Sequence, residues 1–261
     1  MKNIRPPAVA GQFYPADPAE LRSQIQTFMA QAHPADQPPK ALIAPHAGYI
    51  YSGPVAASAY ASLLPVKHQI RKVILLGPAH RVPFIGLAAP TSDGFATPLG
   101  IVPIDQQAID TIADLPQVNR MDLAHEYEHS LEVQLPFLQS LLDDFSLVPL
   151  VVGNASAAEV AEVLERLWGG DETLILISSD LSHYHDYDTA RRMDSGTSQA
   201  IEQLQEDSIT HDMACGGTPV RGLLQLARKK GLHARTLDLR NSGDTAGPRD
   251  QVVGYGAYAI N

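Results

Sequence analysis

His46 in "LIAPHAGYIYSG" (42–53) and His80 in "VILLGPAHR" (73–81) each follow a short apolar run and a proline, where a strand would leave a sheet. A third apolar run, in "TLILISSDLSHYHDY", delivers Asp180, His183 and His185 just past its end. One histidine after a strand is ordinarily a solvated loop residue. Three strands that each carry an imidazole to an equivalent position point instead to a metal or acid–base site. Neutral imidazole is a metal ligand, and its ordinary pKa of about 6.5 lets it exchange protons near neutrality. Ligands of open α/β sheets gather outside the carboxyl ends of the strands. His46, His80 and the 180–185 segment are therefore expected on one rim. His33, His68 and His233 have no such setting.

Two further features carry chemistry or imitate it. "HEYEH", His125 to His129, matches the H-E-x-x-H zinc-protease pattern, which needs both histidines on one face of a regular helix. The loop-like "VNRMDLA" before it, and an apolar stripe that starts only at Leu131, argue against that helix. Ser130 or the residues before it read as a helix entrance, with Glu126 and Glu128 near the positive end. His129 and Glu132, three apart, would then be able to face the rim. Cys215 is the one cysteine, in "DMACGGTPVRGLL". It is either a small buried apolar residue or a soft ligand and reactive thiolate beside a helix N-terminus, where a thiol pKa falls. No G-x-G-x-x-G after a strand, G-x-x-x-x-G-K-[ST] or G-x-S-x-G occurs, so nucleotide binding and serine-hydrolase chemistry lack their usual markers.

The elements that must position these residues are legible as strands at 41–45, 72–77, 85–89, 146–152, 173–178 and 251–259. Helical patterns lie at 54–64, 105–114, 129–143, 156–168, 188–206 and 218–230. Continuous Val, Ile and Leu at 73–76 and 174–177 fit strands covered on both faces. The alternation predicts an α/β fold with a mostly parallel central sheet flanked by helices. The last thirty or so residues read as two antiparallel strands at an edge. Leu131, Leu135, Leu138 and Leu142 form one stripe, which Pro136 is expected to kink. Without a linker or repeat, residues 1–261 are expected to be one domain, with 31–40 a surface loop.

The 261-residue chain is 44% hydrophobic, and its net charge of −10 opposes nucleic acid and anionic membrane surfaces. No run approaches the roughly 18 apolar residues of a membrane span. "MKNIRPPAVAGQFYPADP" lacks the apolar core of a signal peptide. With no disulfide partner for Cys215, a cytoplasmic location is expected.

In order along the chain, "RPPAVAGQFYP", "APHAGYIYSGPVAASAY", "LLGPAHR", "EHSLEVQLPFL", "SSDLSHY", the Cys-Gly pair, "NSGD" and "VVGYGAYA" resemble the Memo family. Its prokaryotic members are called AmmeMemoRadiSam system protein B. The resemblance covers nearly the whole chain. It implies a fold similar to the LigB-like class III extradiol dioxygenases, which open aromatic rings with non-haem Fe(II). It also implies a metal pocket on His46, His80 and Cys215, with His183 as general acid/base and Asp180 orienting it or a ligand histidine. Tyr49, Tyr51 and His129 would wall the substrate pocket, and His185 would lie further out. Fe(II) is the first metal implied, with Cu or Zn as alternatives. A thiolate in place of the dioxygenase carboxylate shifts preference toward Cu(I), Zn or a more electron-rich Fe, while Glu132 and Asp180 stand as alternative third ligands. The implied function is metal-dependent redox chemistry on a small molecule, alongside a radical-SAM partner. Competing with it are a non-catalytic ligand- or peptide-binding role, as described for animal members that bind phosphotyrosine peptides, and zinc-dependent hydrolysis.

Overall fold

A computed structural model describes residues 3–33 and 37–261, so the expected 31–40 loop lies partly outside the described residues, at 34–36. Twelve strands are described, in chain order β1 (Ile4–Arg5), β2 (Ala41–Ala44), β3 (Lys72–Pro78), β4 (Leu87–Ala89), β5 (Gly94–Thr97) and β6 (Gly100–Pro103), then β7 (Val118–Arg120), β8 (Ser146–Val152), β9 (Thr173–Ser178), β10 (His183–His185), β11 (Ala234–Asn241) and β12 (Val252–Ile260). The helices are α1 (Pro18–Gln31), α2 (Tyr49–Ala61), α3 (Gln106–Asp110), α4 (Leu123–Glu126), α5 (Leu135–Leu141), α6 (Ala157–Arg166), α7 (Tyr187–Glu202) and α8 (Gly217–Lys229).

At the centre stand β2, β9, β3 and β8, mutually parallel and almost wholly buried. Their continuous Val/Ile/Leu runs are what burial on both faces selects. Outside this block the direction reverses. β12 runs antiparallel to β2, β10 and β11, and β4 antiparallel to β8, while β7 pairs parallel with β4. The sheet is therefore mixed rather than mostly parallel, because crossovers through helices serve only the central strands. The predicted antiparallel pair at the C-terminus is β11 and β12. Sequence patterning did not anticipate a separate small sheet of β1, β5 and β6.

Helix ends follow local chemistry. Asp17 caps α1 by accepting N–H bonds from Ala19 and Glu20, with Pro18 in the first turn. Ser156 and Glu159 form a reciprocal capping box on α6. α2 begins five residues before the position the sequence suggests, so Pro54 lies inside it. The leucine stripe 131–142 is buried as expected, but Pro136 does not kink a helix. A 3-10 turn over Glu132–Gln134 leads into α5, and Pro136 occupies that helix's first turn, where its missing N–H leaves nothing unsatisfied. α1, α2 and α5 pack together, with α2 over β2, β11 and β12, while α6 pairs with α8, which lies against β3 and β9. Among the described residues no helix is long and apolar enough to cross a membrane.

Candidate metal centre

β2, β9 and β3 are neighbours in the sheet, so their carboxyl ends open onto one rim. His46 lies two residues past β2, His80 two past β3, and Asp180 two past β9. Cys215 reaches the same place from the start of α8. The backbone N–H of His46 donates to the Asp180 carboxylate at 2.7 Å. The Asp180 N–H meets the Cys215 sulfur at 3.3 Å, and the Cys215 N–H donates to the Asp180 carbonyl at 3.2 Å. One residue at the end of β9 thus ties together two loops that are remote in sequence. The result is a cluster: His46 Nε2 stands 3.3 Å from Cys215 Sγ, and donor atoms of His46, His80 and Cys215 lie within 4.8 Å of one another.

Hydrogen bonds fix which ring nitrogen faces the cluster. Ser178 Oγ donates to the Ser130 carbonyl at 2.6 Å and accepts from Gln134 Nε2 at 2.7 Å. Its proton is committed, so His46 Nδ1, 2.9 Å away, must be the donor. Nε2 is left with a free lone pair toward the thiol. His80 Nδ1 lies 2.9 Å from Glu128 Oε1, which makes it a donor too. Such a carboxylate–histidine pair is the usual support of a ligating imidazole. Glu128 also accepts the backbone N–H groups of His80, His129 and Ser130. Burial raises the Glu128 pKa, but the His80 hydrogen bond and charge and the N–H groups of Ser130 and His80 outweigh it and bring it down to about 2.

The electrostatics favour the neutral forms of His46 and His129. Burial, then the neighbouring His129 and His80, holds His46 well below the ordinary histidine range. Burial brings His129 down to about 4, with Glu128 opposing and His80 assisting. The His129 ring stacks on His80 at 4.5 Å and stands edge-on to His46 at 5.5 Å. Burial, assisted by Asp180, pushes the Cys215 thiol up to about 12, which favours the buried-thiol reading over that of an activated thiolate. Desolvation outweighs the helix end here, which favours the protonated thiol. Burial likewise raises Asp180 to about 7, against the N–H groups of His46 and Ala47.

His183 sits across a cleft of about 410 Å³ that Phe13, Tyr51, His129, Asp180 and Tyr255 also border. Its Nδ1 lies 2.8 Å from the Leu181 carbonyl, so Nδ1 carries the proton and Nε2 is free to accept one. Burial lowers its pKa, which the Leu181 carbonyl partly offsets. Asp180 does not orient His183; its carboxylate serves the His46 backbone.

Other expected site residues are placed elsewhere. Tyr49 is 1% exposed, donates its hydroxyl to the Val133 carbonyl at 2.8 Å and packs on Phe137. Successive helical residues turn by about 100°, so Tyr49 and Tyr51 point to nearly opposite sides of α2 and only one can face the cleft. Glu132 is spent on Arg5 Nη1 (2.6 Å), the N–H groups of Ala8 (2.8 Å) and Val9 (3.0 Å) and the Tyr14 hydroxyl (2.6 Å), which removes it as a third ligand. His185 pairs with Val252 on the far side of Tyr184 and interacts with Asp194. "HEYEH" is not one helix. α4 stops at Glu126, and the His125 ring turns to the Ala88 carbonyl and packs on Phe95. Glu126, expected near the positive end of a helix, is instead the last residue of α4, and Glu128 accepts the N–H groups of His129 and Ser130 and cradles the turn that holds His80. Glu128, Ser178 and Phe13, whose ring lies 4.7 Å from His129, belong to the site without any sequence mark that would have distinguished them.

Two imidazoles and a thiol fit a transition metal ion by donor type and by spacing. Bonds of roughly 2.0–2.3 Å in tetrahedral geometry place donor atoms about 3.5 Å apart, a small closure from what is seen. Fold and site together define a mixed α/β protein with a candidate histidine–thiol metal centre at the carboxyl rim of its sheet. The profile of the Memo-like protein family matches residues 5–259, and the chain belongs to the Memo family. A MEMO1 family protein of Aquifex aeolicus is 38% identical over 97% of both chains. One from Saccharolobus solfataricus is 36% identical over 96% of this chain and 97% of its own. Among solved structures, an uncharacterized protein from Escherichia coli K12 superposes with a TM-score of 0.52 at 12% identity. That match covers 84% of this chain and 98% of the other, a likeness of fold alone.

Proposed function

We propose that the protein binds a transition metal ion through His46, His80 and Cys215 and holds a small organic molecule beside it. The same proposal relates its fold to the class III extradiol dioxygenases and takes Fe(II) as the first metal, with Cu or Zn as alternatives. The observation that carries it is the convergence of two tautomer-fixed imidazoles and a solitary thiol behind Asp180 and His129, which border the cleft that also holds His183. A bound ion would supply Lewis-acid or redox chemistry there. The chain's own residues do the rest. Ser178 and Glu128 hold the two ligand rings with Nε2 outward. Cys215 would hold the ion as a thiolate, its proton passing to solvent, and that anion would offset the ion's charge in a buried site. His183 Nε2 accepts a proton from a ligand hydroxyl across the cleft, where its lowered pKa keeps it unprotonated at neutrality. A radical-SAM protein is the partner proposed, on the family resemblance alone.

Protein purified without oxygen should carry about one ion per chain, as expected for a single three-donor centre. His46→Ala and Cys215→Ala should each lose it while remaining folded. Full metal content in both variants overturns the ligand assignment. Catechol then separates the roles: oxygen uptake that needs both catechol and metal assigns turnover, whereas saturable binding without uptake assigns a binding protein. Neither response overturns the small-ligand reading.

A further inference from the structure

β10 contains a bulge whose cost is not explained by packing. His183 lies opposite Val253 and His185 opposite Val252, so three residues of β10 face two of β12 and Tyr184 is the inserted one. Its φ is +61°, a left-handed conformation that aromatic residues rarely adopt. Leu204 (φ 51°) also lies in this region but has an ordinary reason for it. It follows α7, where the Leu204 N–H meets the Ile201 carbonyl and the Gln205 N–H the Ala200 carbonyl, the usual left-handed helix ending. Tyr184 ends no helix and is 71% exposed, so neither capping nor burial offsets its conformation.

What the bulge achieves is placement. Side chains alternate faces along a regular strand, so with His183 in the cleft its neighbour would face away. Here both border the cleft, with their rings 5.8 Å apart and nearly edge-to-face. Tyr51 and Tyr255 border the same opening. Strain that persists without a structural return is characteristic of ligand-contacting positions. Resting on the reading of the cleft as a metal-and-ligand site, we propose that Tyr184 is a specificity-determining residue, whose ring forms the outer wall against which the molecule beside His183 lies.

The test titrates the metal-loaded full chain with catechol, without oxygen, in wild type and in Tyr184→Phe, Tyr184→Ala and Tyr184→Gly, and melts each protein. Loss of one aromatic contact predicts about tenfold weaker binding for Ala and Gly and a change within about twofold for Phe. Gly should melt above Ala, since glycine adopts positive φ without a steric penalty. Catechol binding by Ala and Gly equal to wild type overturns this inference alone, as does a Gly variant that melts below Ala. A wild type that binds no catechol overturns the cleft reading and this inference with it.

Discussion

Replacing Glu132 with alanine should be among the most damaging single changes in the molecule. Its side chain is fully buried against Arg5, itself only 6% exposed, with 2.6 Å between the charges. Removing the carboxylate leaves a buried guanidinium uncompensated, which costs about 3–5 kcal/mol. The orphaned Ala8 and Val9 N–H groups and Tyr14 hydroxyl add about 1 kcal/mol or more. A chain of 261 residues at roughly 2.1 cal/mol/K per residue unfolds with an entropy of about 0.5 kcal/mol/K. A loss of about 4–6 kcal/mol therefore lowers the melting midpoint by about 8–12 °C. Thermal unfolding followed by circular dichroism reads this directly. The cycle of Arg5→Met, Glu132→Gln and the double variant isolates the ion pair, and the double variant should be less destabilised than the two single losses added together. A midpoint for Glu132→Ala within about 2 °C of wild type, roughly 1 kcal/mol, would refute the reasoning. Any metal content of the wild type should be kept in full by folded Glu132→Gln, because this carboxylate anchors the 5–14 segment and stands outside the His46–His80–Cys215 cluster.

Ser178→Ala removes the acceptor that fixes His46 Nδ1. Metal affinity measured by chelator competition should fall by about tenfold or more. Asp194→Asn tests a buried acid that desolvation raises to about 6. The folded protein holds that proton between about pH 4 and 6 while the unfolded chain has released it, so this contribution is complete below that window and declines as pH rises through it. The melting advantage of Asn over wild type should therefore be absent near pH 4, grow to pH 6 and level off, with a total on the order of 3 kcal/mol. A constant offset across that range would contradict it. Gly216→Ala would set a Cβ 2.7 Å from Ser179 Cβ and 2.8 Å from the Ser178 carbonyl. It should lower the melting midpoint by about 2–6 °C, from about 1–3 kcal/mol of overpacking, and loosen metal binding, since the backbone it displaces joins Cys215 to β9.

The strands that build the site were legible because burial on both faces demands uninterrupted Val, Ile and Leu. A rim of histidines followed because parallel strands end on one rim, while the order that makes β2, β9 and β3 neighbours is set by pairing between distant segments. The small sheet escaped because β1 has two residues and β5 and β6 four each, and only pairing between distant segments makes them strands. α2 reads from sequence as starting at Pro54, since proline is over-represented at the first helical position, while "GYIYSG" before it resembles a turn. That misplacement also hid the opposite orientations of Tyr49 and Tyr51. Glu132 looked available as a ligand because its partners, Arg5 to Tyr14, lie more than a hundred residues upstream, and no local pattern announces them. The two readings of Cys215 stayed open for a related reason: a helix end is visible in sequence, and the desolvation that raises the thiol pKa is not.

His46 and Cys215 are 169 positions apart in the chain, yet their ring nitrogen and sulfur nearly touch. No fragment that lacks either end of that span can form the cluster, so any ion captured there would bind only after β2 has joined the sheet and α8 has docked. Thermodynamic linkage then runs both ways. An ion at a hundred times its dissociation constant would add about 2.7 kcal/mol to the resistance of the whole domain to unfolding. Chelation would withdraw that increment from β2 and α8 alike, so cation supply would set the lifetime of the folded chain as well as the occupancy of its pocket.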